Sequence, residues 1–106
     1  MTLRISTAGL HAQGRKLIQE EKFAEAIGPL TEALTLQPSL VLAYNARGYA
    51  HSRLKHYAEA VADFDEAIRL NPAYANAYLN RASAKRASGD KAGADADQVK
   101  SRELVK

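Results

Sequence analysis

The sequence predicts an all-α fold, a stack of three helix-turn-helix hairpins, and three observations carry that reading. The chain repeats with a period of 34 residues, apolar positions within each repeat follow helical spacing, and 21 of 106 residues are alanine, which favours close-packed helices over strands. After a short leader the repeats start at Thr7, Val41 and Ala75 with no gap between them. The expected organisation is one domain over 1–106, in repeats 7–40, 41–74 and 75–106. Stepping by the period aligns Leu10 with Tyr44 and Tyr78, Gly14 with Gly48 and Ala82, and Ala26 with Ala60 and Ala94. It also aligns Phe23 with Tyr57, Leu30 with Phe64, and Pro38 with Pro72. Large meets large and small meets small, so each repeat solves the same packing problem.

Each element follows from that pattern. In the second repeat Tyr44, Gly48 and His51 are spaced by four and three, and so are Ala60, Phe64 and Ala67, which marks one stripe on each of two helices. A short polar break separates the two: Glu20-Glu21-Lys22, Leu54-Lys55-His56 or Ser88-Gly89-Asp90. Pro38 and Pro72 stop the chain between repeats. Helices are expected at 7–20, 24–36, 41–54, 58–70, 75–88 and 92–104, with Asp90 as an N-cap.

Composition sets outer limits on function. The chain has 46% hydrophobic and 25% charged residues, as an ordinary folded protein does. Cysteine is absent, which removes disulfides, thiolate metal sites and thiol nucleophiles. No apolar run approaches the roughly 18 residues of a membrane span, and the opening Met1-Thr2-Leu3-Arg4-Ile5 lacks the apolar stretch of a secretion signal. These features favour a soluble, cytoplasmic protein with no membrane partner. A net charge of +3 selects no partner by itself.

The aligned residues resemble the tetratricopeptide repeat family. Its bulky-x-x-Leu-Gly-x-x-Tyr, Ala-x-x-x-Phe and Pro signature falls on Tyr44, Gly48, Ala60, Phe64 and Pro72 in the second repeat, with Arg47 for the Leu and His51 for the Tyr. In the first repeat it falls on Leu10, Gly14, Leu17, Ala26, Leu30 and Pro38, with Gln13 for the Leu. The third keeps Tyr78 and Ala94 but has Ala82, Lys85 and Gln98 for the Gly, Tyr and Phe. The resemblance implies an α-solenoid, a right-handed superhelical stack of hairpins whose first helices line a concave wall. Some members grip the C-terminal carboxylate of heat-shock chaperones with a set of Lys and Asn residues. The matching positions here are His11, Arg15, Ala46, Asn76 and Asn80, and the loss of an Asn at Ala46, with amides where cations are expected, argues against a grip of that kind.

The departures carry information. Lys91 and Gln98 stand where the earlier repeats place Phe23 and Leu30 or Tyr57 and Phe64, so the degenerate third repeat is expected to cap the array with a polar face. At the other end Leu3 and Ile5 are expected either to fold over the first helix or to touch another subunit. Arg47 and Arg81 replace a core Leu, and an unpaired buried guanidinium would be expensive. An acid follows each at an offset of 16, Asp63 and Asp97. Inter-helix pairs Arg47–Asp63 and Arg81–Asp97 are therefore expected, with presentation of both arginines to a phosphate as the alternative.

Catalytic patterns are absent: there is no phosphate-binding Gly-x-x-x-x-Gly-Lys loop, nucleophile elbow or His-Glu-x-x-His helix. His11, His51 and His56 lack the shared-face spacing of metal ligands, Asp90, Asp95 and Asp97 lack a calcium-loop pattern, and Ser83, Ser88 and Ser101 have no base nearby. No enzyme activity, cofactor or metal is expected. What remains is the inner wall. The first-helix stripe holds Ala8, His11, Arg15, Ile18 and Gln19, then Leu42, Asn45, Tyr49, Ser52 and Arg53, then Asn76, Leu79, Ser83, Arg86 and Ala87, without an Asp or Glu. The acids Glu25, Glu32, Glu59, Asp65 and Glu66 fall on the second helices. A basic, amide-bearing groove suits a peptide of acidic character. The expected site comprises His11, Arg15, Asn45, Tyr49, Arg53, Asn76, Asn80, Ser83 and Arg86, and the expected partner is a protein or peptide. The alternative is a self-assembling unit, a homo-oligomer formed through the groove or the first helix. Nucleic acid is disfavoured, because no stacking aromatic accompanies Tyr49.

Overall fold

The computed structural model describes residues 6–105. Six helices follow one another: α1 (Thr7–Gln19), α2 (Phe23–Leu36), α3 (Val41–Arg53), α4 (Tyr57–Leu70), α5 (Ala75–Ala87) and α6 (Lys91–Leu104). Every helix boundary falls within one residue of its expected position. Leu3 and Ile5, expected over α1 or at a subunit contact, lie outside the described residues. Ser6 caps α1 by accepting from the Gly9 N–H at 3.0 Å, and Asp90 caps α6 by accepting from Gly93 at 2.9 Å. The three intra-hairpin turns share one device: Glu21, Lys55 and Gly89, a repeat apart, take left-handed φ values of 59°, 64° and 100°.

α1 pairs with α2, α3 with α4 and α5 with α6, and these hairpins stack through α2 on α3 and α4 on α5. The stack measures 53 × 25 × 19 Å. α1, α3 and α5 therefore form one row and α2, α4 and α6 the other. Alanine makes close approach possible: Ala26, Ala43, Ala60, Ala77 and Ala94 are all fully buried. The largest fully buried side chains, Leu30 and Phe64, occupy space left by glycines. A Cβ on Gly14 would stand 2.5 Å from Leu30 Cγ, and one on Gly48 would stand 2.7 Å from Phe64 Cε1. In hairpin three the corresponding positions hold Ala82 and Gln98.

Both expected ion pairs form. Arg47 donates to Asp63 from Nε at 2.9 Å and Nη2 at 2.7 Å, and Arg81 donates to Asp97 at 2.8 and 2.7 Å. Each carboxylate is only 5% exposed, so a bidentate fork replaces the water it loses. Each arginine also reaches back across the hairpin junction, a connection the sequence reading did not anticipate. Arg47 Nη1 donates to Thr31 Oγ1 of α2 at 3.2 Å, and Arg81 Nη1 donates to Asp65 of α4 at 2.8 Å. The guanidinium groups lie over Tyr44 and Tyr78, 5.8 and 5.5 Å from the ring centroids. The alternative of two arginines free for phosphate is thereby excluded. Hairpin one has no such fork, since Gln13 replaces the arginine and Pro29 stands inside α2 where the others carry Asp63 and Asp97.

Candidate peptide-binding groove

The row of first helices is indented. A depression of about 390 Å³ is bounded by Arg15 and Gln19 of α1, Asn45 and Tyr49 of α3, and Asn76 and Asn80 of α5. A second, of about 280 Å³, shares Arg15 and Asn45 and adds His11, Leu42 and Tyr74. Neither depression has an Asp or Glu in its lining. Helical spacing explains the convergence, because residues three or four apart share a face and three such faces stand side by side.

The amides are organised by one another. Asn80 Nδ2 donates to Asn76 Oδ1 at 2.8 Å and to Asn45 Oδ1 at 3.1 Å, and Asn45 Nδ2 donates to Tyr74 Oη at 3.2 Å. Each bond in this relay occupies an acceptor within the groove and leaves donors over. Among the described residues Asn76 keeps both amide protons, Asn45 keeps one, and Tyr74 keeps its hydroxyl proton. Arg15 has no acid within 4.0 Å among the described residues, and so adds a full set of guanidinium donors. Burial pushes the Tyr74 hydroxyl above its ordinary value against the opposing bond from Asn45, which keeps it a neutral donor. Burial, helped by the Arg15 charge, holds His11 below the ordinary histidine value. His11 is neutral at pH 7, and the basic character of the groove rests on Arg15.

Six of the nine expected site residues, His11, Arg15, Asn45, Tyr49, Asn76 and Asn80, line the depressions. Arg53, Ser83 and Arg86 do not. The Arg53 guanidinium lies 5.0 Å over the Phe23 ring and 3.8 Å from Glu21, and Phe23 meets Tyr49 edge-on at 6.0 Å. Arg53 thus braces the wall behind Tyr49. Arg86 Nη2 donates to Asp95 at 2.9 Å and to Gln98 at 3.1 Å, which directs it toward α6. Tyr74 was not among the expected residues. It precedes α5 at the N-cap, outside the first-helix stripe, and an aromatic at a junction gives no periodic signal. Away from the groove, the left-handed turn at Lys55 brings His51, His56 and Glu59 together, although sequence spacing had set the histidines apart.

The family's own model, Tetratricopeptide repeat, matches residues 41–74, the span of the second repeat. Among solved structures, the first such domain of Spaghetti (RPAP3), bound to the HSP90 peptide SRMEEVD, is similar at 30% identity with a TM-score of 0.90. The match covers 93% of this chain and 79% of that one. The chain belongs to the tetratricopeptide repeat family. The first such domain of human RPAP3 is similar at 31% identity and TM-score 0.89, over 92% of this chain and 77% of that one. The second Spaghetti domain, 24% identical with a TM-score of 0.90 over 93% and 92% of the two chains, shares the fold. No curated protein sequence matches the chain. None of the described helices is long and apolar enough to cross a membrane.

Proposed function

We propose that this tetratricopeptide repeat chain is an interaction module that holds an acidic peptide segment of a partner protein against α1, α3 and α5. The observation that carries the reading is the imbalance of the groove, which offers donors from Arg15, Asn76, Asn45 and Tyr74 and no carboxylate. An extended peptide supplies the complement: backbone carbonyls for the amides, and a side-chain carboxylate for a bidentate bond to Arg15. Tyr49 adds contact area at little entropic cost. The likeness to a domain bound to SRMEEVD, a peptide rich in carboxylates, supports acidic character. Ala46 stands where chaperone-tail binders place an amide, and Asn76 and Asn80 stand where such binders are expected to carry cations. The segment is therefore read as an acidic stretch anchored at Arg15 rather than a gripped chain terminus.

Fluorescence anisotropy with acidic, neutral and basic peptides at about 50 and 500 mM salt tests this. The expected result is salt-sensitive selection of acidic peptides that Arg15→Glu abolishes. Binding indifferent to charge and to Arg15 contradicts it. Self-assembly through the same face has one observation in its favour, since Leu42 and Leu79 on the first helices are 53% and 48% exposed. A salt-resistant dimer in light scattering would move that reading to first place.

A further inference from the structure

We propose that His51, His56 and Glu59 form a binding site for a zinc-class divalent transition-metal ion at the turn of the second hairpin. One ligating atom from each side chain lies within 4.8 Å of the other two, and the imidazole centroids are 5.7 Å apart. His51 sits in the last turn of α3, His56 is the residue before α4, and Glu59 is in the first turn of α4. The turn between them, reversed by Lys55 at φ 64°, converts separation along the chain into proximity.

The donor chemistry fits the ion. Two imidazole nitrogens and one carboxylate oxygen make a three-ligand zinc set that leaves a fourth position for water, whereas magnesium and calcium prefer all-oxygen shells. Tetrahedral zinc with bonds of about 2.0–2.1 Å needs donors about 3.3 Å apart, so donors that lie within 4.8 Å of one another must close by at most about 1.5 Å. His56 and Glu59 can supply that movement, being exposed and without side-chain hydrogen bonds among the described residues. His51 is half-buried and fixed by packing, and its Nδ1 is buried with no hydrogen-bond partner. Among the described residues no hydrogen-bond partner accounts for a polar nitrogen there.

Comparison between hairpins shows that the fold does not require these residue types. Hairpin one places Leu17, Lys22 and Glu25 at the same three positions. Hairpin three places Lys85, which meets Asp97 at 3.2 Å, Asp90, which caps α6, and Gly93. Only the second hairpin of the three brings two imidazoles and a carboxylate together. None of the three residues lines the groove depressions, so the ion and a peptide bind at separate places.

The full chain, titrated with cobalt chloride and followed by visible absorption, with zinc chloride competing and thermal melting as a second readout, tests the site. The expected result is one ion per chain with a ligand-field band that zinc displaces, and a melting temperature that rises with either ion. His56→Ala, at an exposed position where circular dichroism will report a retained fold, should abolish the band and weaken binding by about tenfold or more. Glu59→Gln should weaken it less, and Glu25→Gln, the same change in hairpin one, should leave it unchanged. Absence of a band and of a melting shift at millimolar ion overturns the proposal, and so does binding that survives His56→Ala intact.

Discussion

The junctions between hairpins and the groove along the first helices both display arginine, yet the two regions use it in opposite ways. At the junctions each of the three guanidinium nitrogens donates a hydrogen bond. Arg47 and Arg81 each bind a carboxylate 5% exposed with two hydrogen bonds, reach a neighbouring hairpin with a third, and lie over a tyrosine. In the groove Arg15 has no acid partner among the described residues, and the amides around it bind one another in a way that leaves donors over. The type of a charged residue therefore says little, whereas whether the protein itself supplies its partners separates a structural from a recognition role.

Substitution at the junctions should cause the largest losses. Arg47→Ala strands Asp63 in the interior and is expected to cost about 3 kcal/mol by urea denaturation. Arg81→Ala should cost less, about 2 kcal/mol, because Lys85 stands 3.2 Å from Asp97 whereas hairpin two carries His51 at that position. Burial holds His51 below the ordinary histidine value, so it offers Asp63 less positive charge at pH 7 than Lys85 offers Asp97. Equal losses in the two variants would break the contrast between the hairpins. Gly48→Ala drives a methyl into the Phe64 ring and should cost about 2 kcal/mol, visible as a lower urea midpoint at unchanged m-value. Gly89→Ala imposes a side chain on φ 100° and should cost about 1 kcal/mol.

Acid should act on the junctions and leave the groove amides alone. Burial pushes the Asp97 carboxyl up, but the bonds from Arg81 and Lys85 outweigh it and hold the group below its ordinary value of 3.8. A carboxyl depressed in the folded state contributes stability that is complete above its unfolded value and is lost as pH falls through the folded one. The melting temperature of the wild type should therefore fall below about pH 4, and it should fall more steeply than that of Asp97→Asn, which lacks this titration. Parallel pH profiles would show that the fork contributes nothing at neutral pH.

The fold was almost wholly legible in the sequence, because a 34-residue period fixes both helix faces at once and alanines and glycines at matching places report close backbone approach. The ion pairs were legible for the same reason: an arginine in a core position requires an acid, and the repeat showed where it stood. The third bond of each fork, to Thr31 or Asp65, was not, since it depends on how one hairpin sits on the next. The groove was legible in part. Periodicity placed Arg15, Asn45 and Asn76 on one wall, but it could not show that Phe23 and Glu21 hold Arg53, or that Asp95 and Gln98 draw Arg86 toward α6. Tyr74 and the His51–His56–Glu59 cluster were missed because both arise where the chain turns, and there spacing ceases to measure distance.

Whether the unengaged donors around Arg15 select carboxylates can be decided by one paired affinity measurement. A Glu-containing acidic peptide and its Glu→Gln counterpart would be titrated against wild type and against Arg15→Ala, a substitution expected to change stability by less than about 0.5 kcal/mol. Neutralising the peptide should weaken wild-type binding by about tenfold, near 1.4 kcal/mol, and change binding to Arg15→Ala little. An equal preference for the acidic peptide in both proteins would contradict selection by Arg15.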